Sequence, residues 1–126
     1  MSGIRIFRAD DVGDRWEDVA AELDRAFQIG RAAAQAGESF VYVVHNDDLL
    51  GRRGPGAAMI AAALVSAART AALEGSRLGW TANVIAFDEG TDEAEVGRWA
   101  KWMLDSHGAT GQLIQIGPGN VGKALS

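Results

Sequence analysis

Strand-type and helix-type patterns alternate along this chain from end to end, and that alternation limits its possible folds more than any other feature. Ile4–Arg8 alternates apolar and polar residues, as a half-buried strand does. Helical periodicity follows, with Trp16, Val19, Ala20, Leu23, Phe27 and Gly30 on one face. Asp14 and Glu17 have the spacing of a capping box that opens this helix, and Gly37 is placed to end it. Ser39–Val44 is β-branched and aromatic and predicts a buried strand. It leads into His45-Asn46-Asp47-Asp48 and a loop with Gly-Arg-Arg-Gly-Pro-Gly at Gly51–Gly56. A second helix is expected over about Ala57–Glu74 and a third strand over Thr81–Phe87. Asp92 and Glu95 suggest another capping box, for a helix to about Ser106 that Gly108 stops. Gln112–Ile116 is the last strand, and Gly117–Gly122 forms a terminal turn and tail.

The order β-α-β-α-β-α-β favours an α/β fold, a Rossmann-like parallel sheet of about four strands with helices on both faces. Residues 1–126 read as one domain, with no repeat and no low-complexity linker. The chain has no cysteine, which removes disulfide, zinc-thiolate and thiol-nucleophile chemistry. A net charge of −5 argues against a nucleic-acid partner. The longest apolar stretch, Ala57–Val65, is expected to be too short to span a bilayer, and the first residues lack a signal-peptide core. A cytoplasmic protein without membrane contact is the expectation.

The second helix is apolar almost all round. Its polar residues Ser66, Arg69, Thr70 and Glu74 form one narrow stripe, and its alanines allow close approach by another helix. It is either a well-covered internal helix or one buried between this sheet and a partner subunit. The second reading is preferred, because 126 residues leave little other chain to cover it.

The run Ala68-Arg-Thr-Ala-Ala-Leu-Glu74, followed by Leu78-Gly-Trp-Thr-Ala-Asn-Val-Ile-Ala86, resembles a segment of the short-chain dehydrogenase/reductase family. Asn83 matches a structural asparagine of that family and Glu74 its usual glutamate. Gly108–Gly117 resembles the family's closing strand motif, and the helix from Trp16 through Phe27 to Arg31 resembles the helix that carries its catalytic asparagine. The likeness implies a chain truncated to the carboxyl-terminal half of the parent fold.

It also implies lost chemistry. No glycine-rich dinucleotide fingerprint follows a strand, and Arg8-Ala9-Asp10-Asp11 stands where the family carries Asn-Asn-Ala-Gly. Alignment on Phe27 puts Glu22 at the catalytic asparagine. The catalytic serine falls near His45 or Asn46, and the tyrosine and lysine fall on Ala57 and Ala61. Alanine neither transfers a proton nor holds a ribose. Tyr42 is the only tyrosine, and Lys101 and Lys123 lie well past that helix.

The resemblance therefore implies a non-catalytic subunit with no cofactor of its own. It would stabilise or regulate a full-length family member, which would bind NAD(P). The contact residues implied are Phe27, Ala58, Ala62, Val65, Arg69, Trp99 and Trp102. The alternative is a stand-alone homo-oligomer that binds a small molecule through the loop after the second strand, with His45, Asn46, Asp47, Arg52 and Arg53 as candidate ligand residues. A third reading, new chemistry with His45, Asp47 or Glu22 as acid or base, would need a convergent pocket. The ordinary explanations are turn residues at His45–Asp48, a flexible connection at Gly51–Gly56, and a solvated helix face at Glu22, Asp24 and Arg25.

Overall fold

A computed structural model describes residues 4–119. Four strands alternate with helices: β1 (Ile6–Arg8), α1 (Trp16–Gln35), β2 (Phe40–His45), α2 (Asn46–Leu49), α3 (Pro55–Leu78), β3 (Ala82–Phe87), α4 (Glu93–Asp105) and β4 (Leu113–Ile116). The strands form one sheet in the order β1-β2-β3-β4, every neighbour parallel. The expected architecture is the observed one.

Side-chain alternation along the strands builds two cores. Phe7, Phe40, Tyr42, Val44, Ala82, Val84 and Ala86 face α1 and α3. Val41, Val43 and Ile85 face α4, which supplies Val96, Ala100 and Met103. β2 and β3 are buried on both faces, which explains their continuous apolar runs. Asn83 lies wholly buried at the entrance to β4. Its amide donates to the Ala109 carbonyl (3.0 Å), and its carbonyl accepts from the Gln112 N–H (3.0 Å).

Several local expectations give way to tertiary packing. On α1 the buried residues are Val19, Glu22, Ala26, Gly30 and Ala33, while Trp16 and Phe27 are exposed. Small residues let α1 sit close to the sheet, and the large aromatics are displaced outward. At Gly30 an added Cβ would come within 2.5 Å of the Tyr42 hydroxyl, which donates to the Ala26 carbonyl at 2.8 Å. Glu22 is only 2% exposed and is no solvated residue. It accepts from the Asp10 N–H (2.7 Å) and from Arg25 (2.7 Å), fixing the chain after β1.

The capping box expected at Asp14 is absent. Arg15 is the N-cap of α1 and caps with no side chain. The Asp14 carboxylate instead accepts from the Gly56 N–H at 2.9 Å, so it caps the first turn of α3 from across the fold. The N-cap of α3, Gly54, has no side chain to offer. Asp92 does cap α4, accepting from the Ala94 N–H (3.1 Å), but Glu95 turns away to Arg98 and Trp99. Gly37 ends α1 with φ +71°, as expected. α4 stops at Asp105 with Ser106 extended, without a left-handed Gly108. The expected tail beyond Gly119 lies outside the described residues.

α3 runs past both expected ends, from Pro55 to a left-handed Gly79. At 24 residues it is long and apolar enough to cross a bilayer by length and composition, contrary to the reading of Ala57–Val65 alone. In this fold it packs Ile60, Leu64, Ala68 and Ala72 into the core beside the sheet. Its outer face carries the expected stripe of Ser66, Arg69, Thr70 and Glu74, interrupted by exposed Met59, Ala62 and Leu73.

Candidate functional site

Open parallel sheets bind ligands beyond the carboxyl ends of their strands. In this chain that end is formed by Arg8, His45, Phe87 and the residues that follow them. The structure gathers the candidate loop there and turns its polar groups on one another. His45 is the N-cap of the short α2, where its Nδ1 accepts from the Asp47 N–H (3.1 Å). Its ring meets Phe87 edge-on at 5.0 Å. The Asn46 side-chain Oδ1 accepts from the Gln115 amide (2.8 Å). The segment expected as a plain loop is thus a helical turn locked to β3 and β4.

Arg52 and Arg53 are each paired with an aspartate just before them in the chain. Arg52 pairs with Asp47 at 3.3 Å. Arg53 forms a two-pronged pair with the buried Asp48, at 2.8 and 3.1 Å. Asp48 hydrogen bonding holds the Arg53 pKa above its usual value, with Asp48, Asp11 and Asp47 charges adding to it and desolvation opposing. Sequence reasoning grouped these residues correctly. It could not tell a pair of arginines aimed outward from a pair consumed by the aspartates before them.

Two neighbours were missed. Arg8 lies over the Phe87 ring at 4.3 Å and forms a two-pronged ion pair with Glu93 at the start of α4. Hydrogen bonding from Arg8 keeps the Glu93 carboxyl below the usual carboxylate range. Asp88, just past β3, accepts from the Thr91 hydroxyl (2.9 Å) and the Gly119 N–H. No group of three or more histidine, aspartate or glutamate side chains is arranged to hold a metal ion among the described residues.

The residues at the positions implied for family catalysis are also placed. Ala57 and Ala61 are buried on the sheet side of α3. Tyr42 lies in the core with its hydroxyl on the Ala26 carbonyl, and desolvation pushes its pKa up to about 12. Lys101 sits exposed on α4.

The residues expected at interfaces divide between two faces. Phe27, on α1, is 43% exposed and borders the groove toward α3. Ala62 and Arg69 are exposed on α3, and Ala58 and Val65 are half-buried there. On the opposite side of the sheet, Trp102 is 55% exposed on α4, and Trp99 stands edge-on to it at 5.9 Å. Hydrogen bonds from Arg98 and from the Trp99 indole keep Glu95 below the usual carboxylate range.

No family model and no curated protein sequence matches the chain. Its fold matches solved structures closely. An acetoin dehydrogenase from Salmonella typhimurium superposes with a TM-score of 0.72 at 15% identity, over 88% of this chain and 61% of that one. The TT0495 protein from Thermus thermophilus gives 0.73 at 20% identity, over 93% and 68%. A short-chain dehydrogenase/reductase from Serratia marcescens gives 0.67 at 15%, over 90% and 64%. The chain spans about three fifths of the first of these structures. Over nearly its whole described length, this chain has the α/β fold of the short-chain dehydrogenase/reductases, and it covers 57–64% of four solved chains of that description.

Proposed function

We propose that this chain is a non-catalytic subunit that assembles with a full-length short-chain dehydrogenase and stabilises or regulates it. The observation that carries this reading is a set of large apolar side chains left exposed on helices on both sides of the sheet. Phe27 on α1 is joined by Met59, Ala62 and Leu73 on α3, with Leu73 76% exposed, and Trp102 stands out from α4. A large exposed aromatic such as Trp102 is a common anchor of protein interfaces. Arg69 and Glu74 provide a polar rim beside the α3 residues.

The chemistry of the site supports the same reading. The positions implied for the proton-transferring tyrosine and its lysine are Ala57 and Ala61. The one tyrosine is committed to a core hydrogen bond. In this account the partner binds NAD(P) and carries out the reaction, while this chain contributes surface and rigidity. The internal pairing of Arg52 with Asp47 and Arg53 with Asp48 weighs against the alternative, a ligand held by that loop.

The test uses the intact chain carrying Leu73→Glu or Trp102→Glu, co-expressed with the dehydrogenase that accompanies it. Both positions are exposed, so each variant should fold with unchanged far-ultraviolet circular dichroism. The proposal predicts that at least one of them abolishes co-purification. Undiminished complex formation by both variants would overturn it.

A further inference from the structure

The turn that follows β2 is held closed by a lone pair on a histidine. A main-chain N–H can only donate, so the His45 Nδ1 that receives the Asp47 N–H at 3.1 Å carries no proton. The neutral ring therefore holds its proton on Nε2. A second proton would convert Nδ1 into a donor facing a donor. The cap on α2 and a charged His45 exclude one another.

The element that depends on this cap is short. α2 has four residues. The Leu50 N–H (3.2 Å) and the Arg52 N–H (2.9 Å) donate to the Asp47 carbonyl, and the Gly51 N–H donates to the Asp48 carbonyl (3.2 Å). A single helical turn is not stable by itself in water, so its end contacts decide whether it forms. Asn46 is tied to Gln115 and Leu49 packs against the core, so losing the cap loosens the turn and leaves β2 in place.

Charged groups stand on the elements around the ring. Asp47 and Asp48 of α2 are paired with Arg52 and Arg53, and Asp11 after β1 also acts on Arg53. Arg8 of β1 lies over Phe87, the ring that His45 meets edge-on, and pairs with Glu93 of α4. Asp88, next after Phe87, is held by the neutral Thr91 hydroxyl and by the Gly119 N–H. β4 contributes the uncharged Gln115. Ordinary carboxylates and arginines keep their charge over the range in which an imidazole changes its own.

We propose that His45 is an acid-sensitive latch on the carboxyl end of the sheet. The neutral imidazole keeps α2 closed, and its protonation releases α2 together with the Asp47–Arg52 ion pair. Arg52 is then freed at the end of the sheet where it was held. The inference is independent of the subunit reading, because it concerns the isolated chain.

The test is nuclear magnetic resonance on the intact 15N-labelled chain. His107→Gln assigns the two imidazoles. At about pH 8 the proposal predicts a His45 ring with its proton on Nε2 and a bare Nδ1. Between about pH 8 and about pH 5.5 the amides of Asp47, Leu50 and Arg52 should move with the same midpoint as the His45 ring. Exchange of the Leu50 and Arg52 amides, corrected for the intrinsic effect of pH, should rise about fivefold, the factor that one lost side-chain cap is worth. His45→Asn supplies an acceptor that does not titrate, so it should keep α2 closed across the range. A His45 proton on Nδ1 at about pH 8 would overturn the proposal. So would α2 amides that stay still while His45 titrates, or that titrate unchanged in His45→Asn, since the response would then belong to the carboxylates. The first two readouts need no substitution at His45, so they decide the matter even where that variant misfolds.

Discussion

Removing the Asp14 carboxylate should destabilise a helix to which Asp14 does not belong. The first N–H groups of any helix lack partners within it, and α3 begins at a glycine with no capping side chain. Asp14 supplies the missing acceptor to Gly56 at 2.9 Å and places a negative charge at the positive end of a 24-residue helix. Losing a side-chain cap costs about 1 kcal/mol, and losing the charge about 0.3–1 kcal/mol. Asp14 is exposed, so the lower part of that range applies to the charge. Asp14→Ala should therefore cost about 1–2 kcal/mol, near 4 °C of Tm per kcal/mol in a chain of this size. Asp14→Asn keeps an acceptor and loses the charge, so its cost should be less than half as large. Urea unfolding at pH 7 followed by circular dichroism measures both, with an unchanged slope as the sign that only stability has moved. A change below about 0.3 kcal/mol for Asp14→Ala, or equal losses for both variants, would refute the cross-capping argument. The packing is tight at this point, since a Cβ on Gly56 would collide with the Gly13 carbonyl oxygen.

Further outcomes follow from other sites. The pKa of Tyr42 is raised from 10.0 to about 12 by desolvation, so the neutral form is favoured in the folded chain. Its stability contribution is complete below pH 10 and is lost as pH rises toward 12, a fall of about 2–3 kcal/mol. Because Tyr42 is the only tyrosine, absorbance at 295 nm should report its ionisation in step with unfolding. An independent, non-cooperative titration near pH 10 would contradict the burial argument. Gly30→Ala should cost about 1–3 kcal/mol in urea unfolding, because its Cβ forces the Tyr42 hydroxyl off the Ala26 carbonyl. Arg53→Ala leaves the buried Asp48 unpaired and should cost about 1–2 kcal/mol, with the half-exposed arginine end discounted for solvent.

The architecture was legible because it rests on period. The apolar runs at Phe40–Val44 and Ala82–Phe87 are buried on both faces, and no helical spacing competes with them. Boundaries were less legible, because they depend on partners distant in sequence. Asp14 has the spacing of a cap for α1, but the loop carries it to Gly56, and nothing in the local sequence distinguishes the two uses. Glu22 has the look of a surface residue on an acidic helix face. Its burial follows from the Asp10 N–H and Arg25 converging on it. Phe27 and Trp16 count as core by hydrophobicity alone, whereas the residues buried from α1 are Val19, Glu22, Ala26, Gly30 and Ala33. The candidate loop lies at the carboxyl end of β2, where the order of strands and helices puts it. Its ion pairs were hidden, because Asp47 with Arg52 and Asp48 with Arg53 are five residues apart and meet only when α2 forms.

The most direct test of the subunit account is the mass and composition of the particle that contains this chain in its native host, measured by light scattering and mass spectrometry after gentle purification. The account predicts a complex of fixed stoichiometry with a full-length short-chain dehydrogenase that binds NAD(P)H. A chain found only as a monomer, or only with copies of itself, would contradict it.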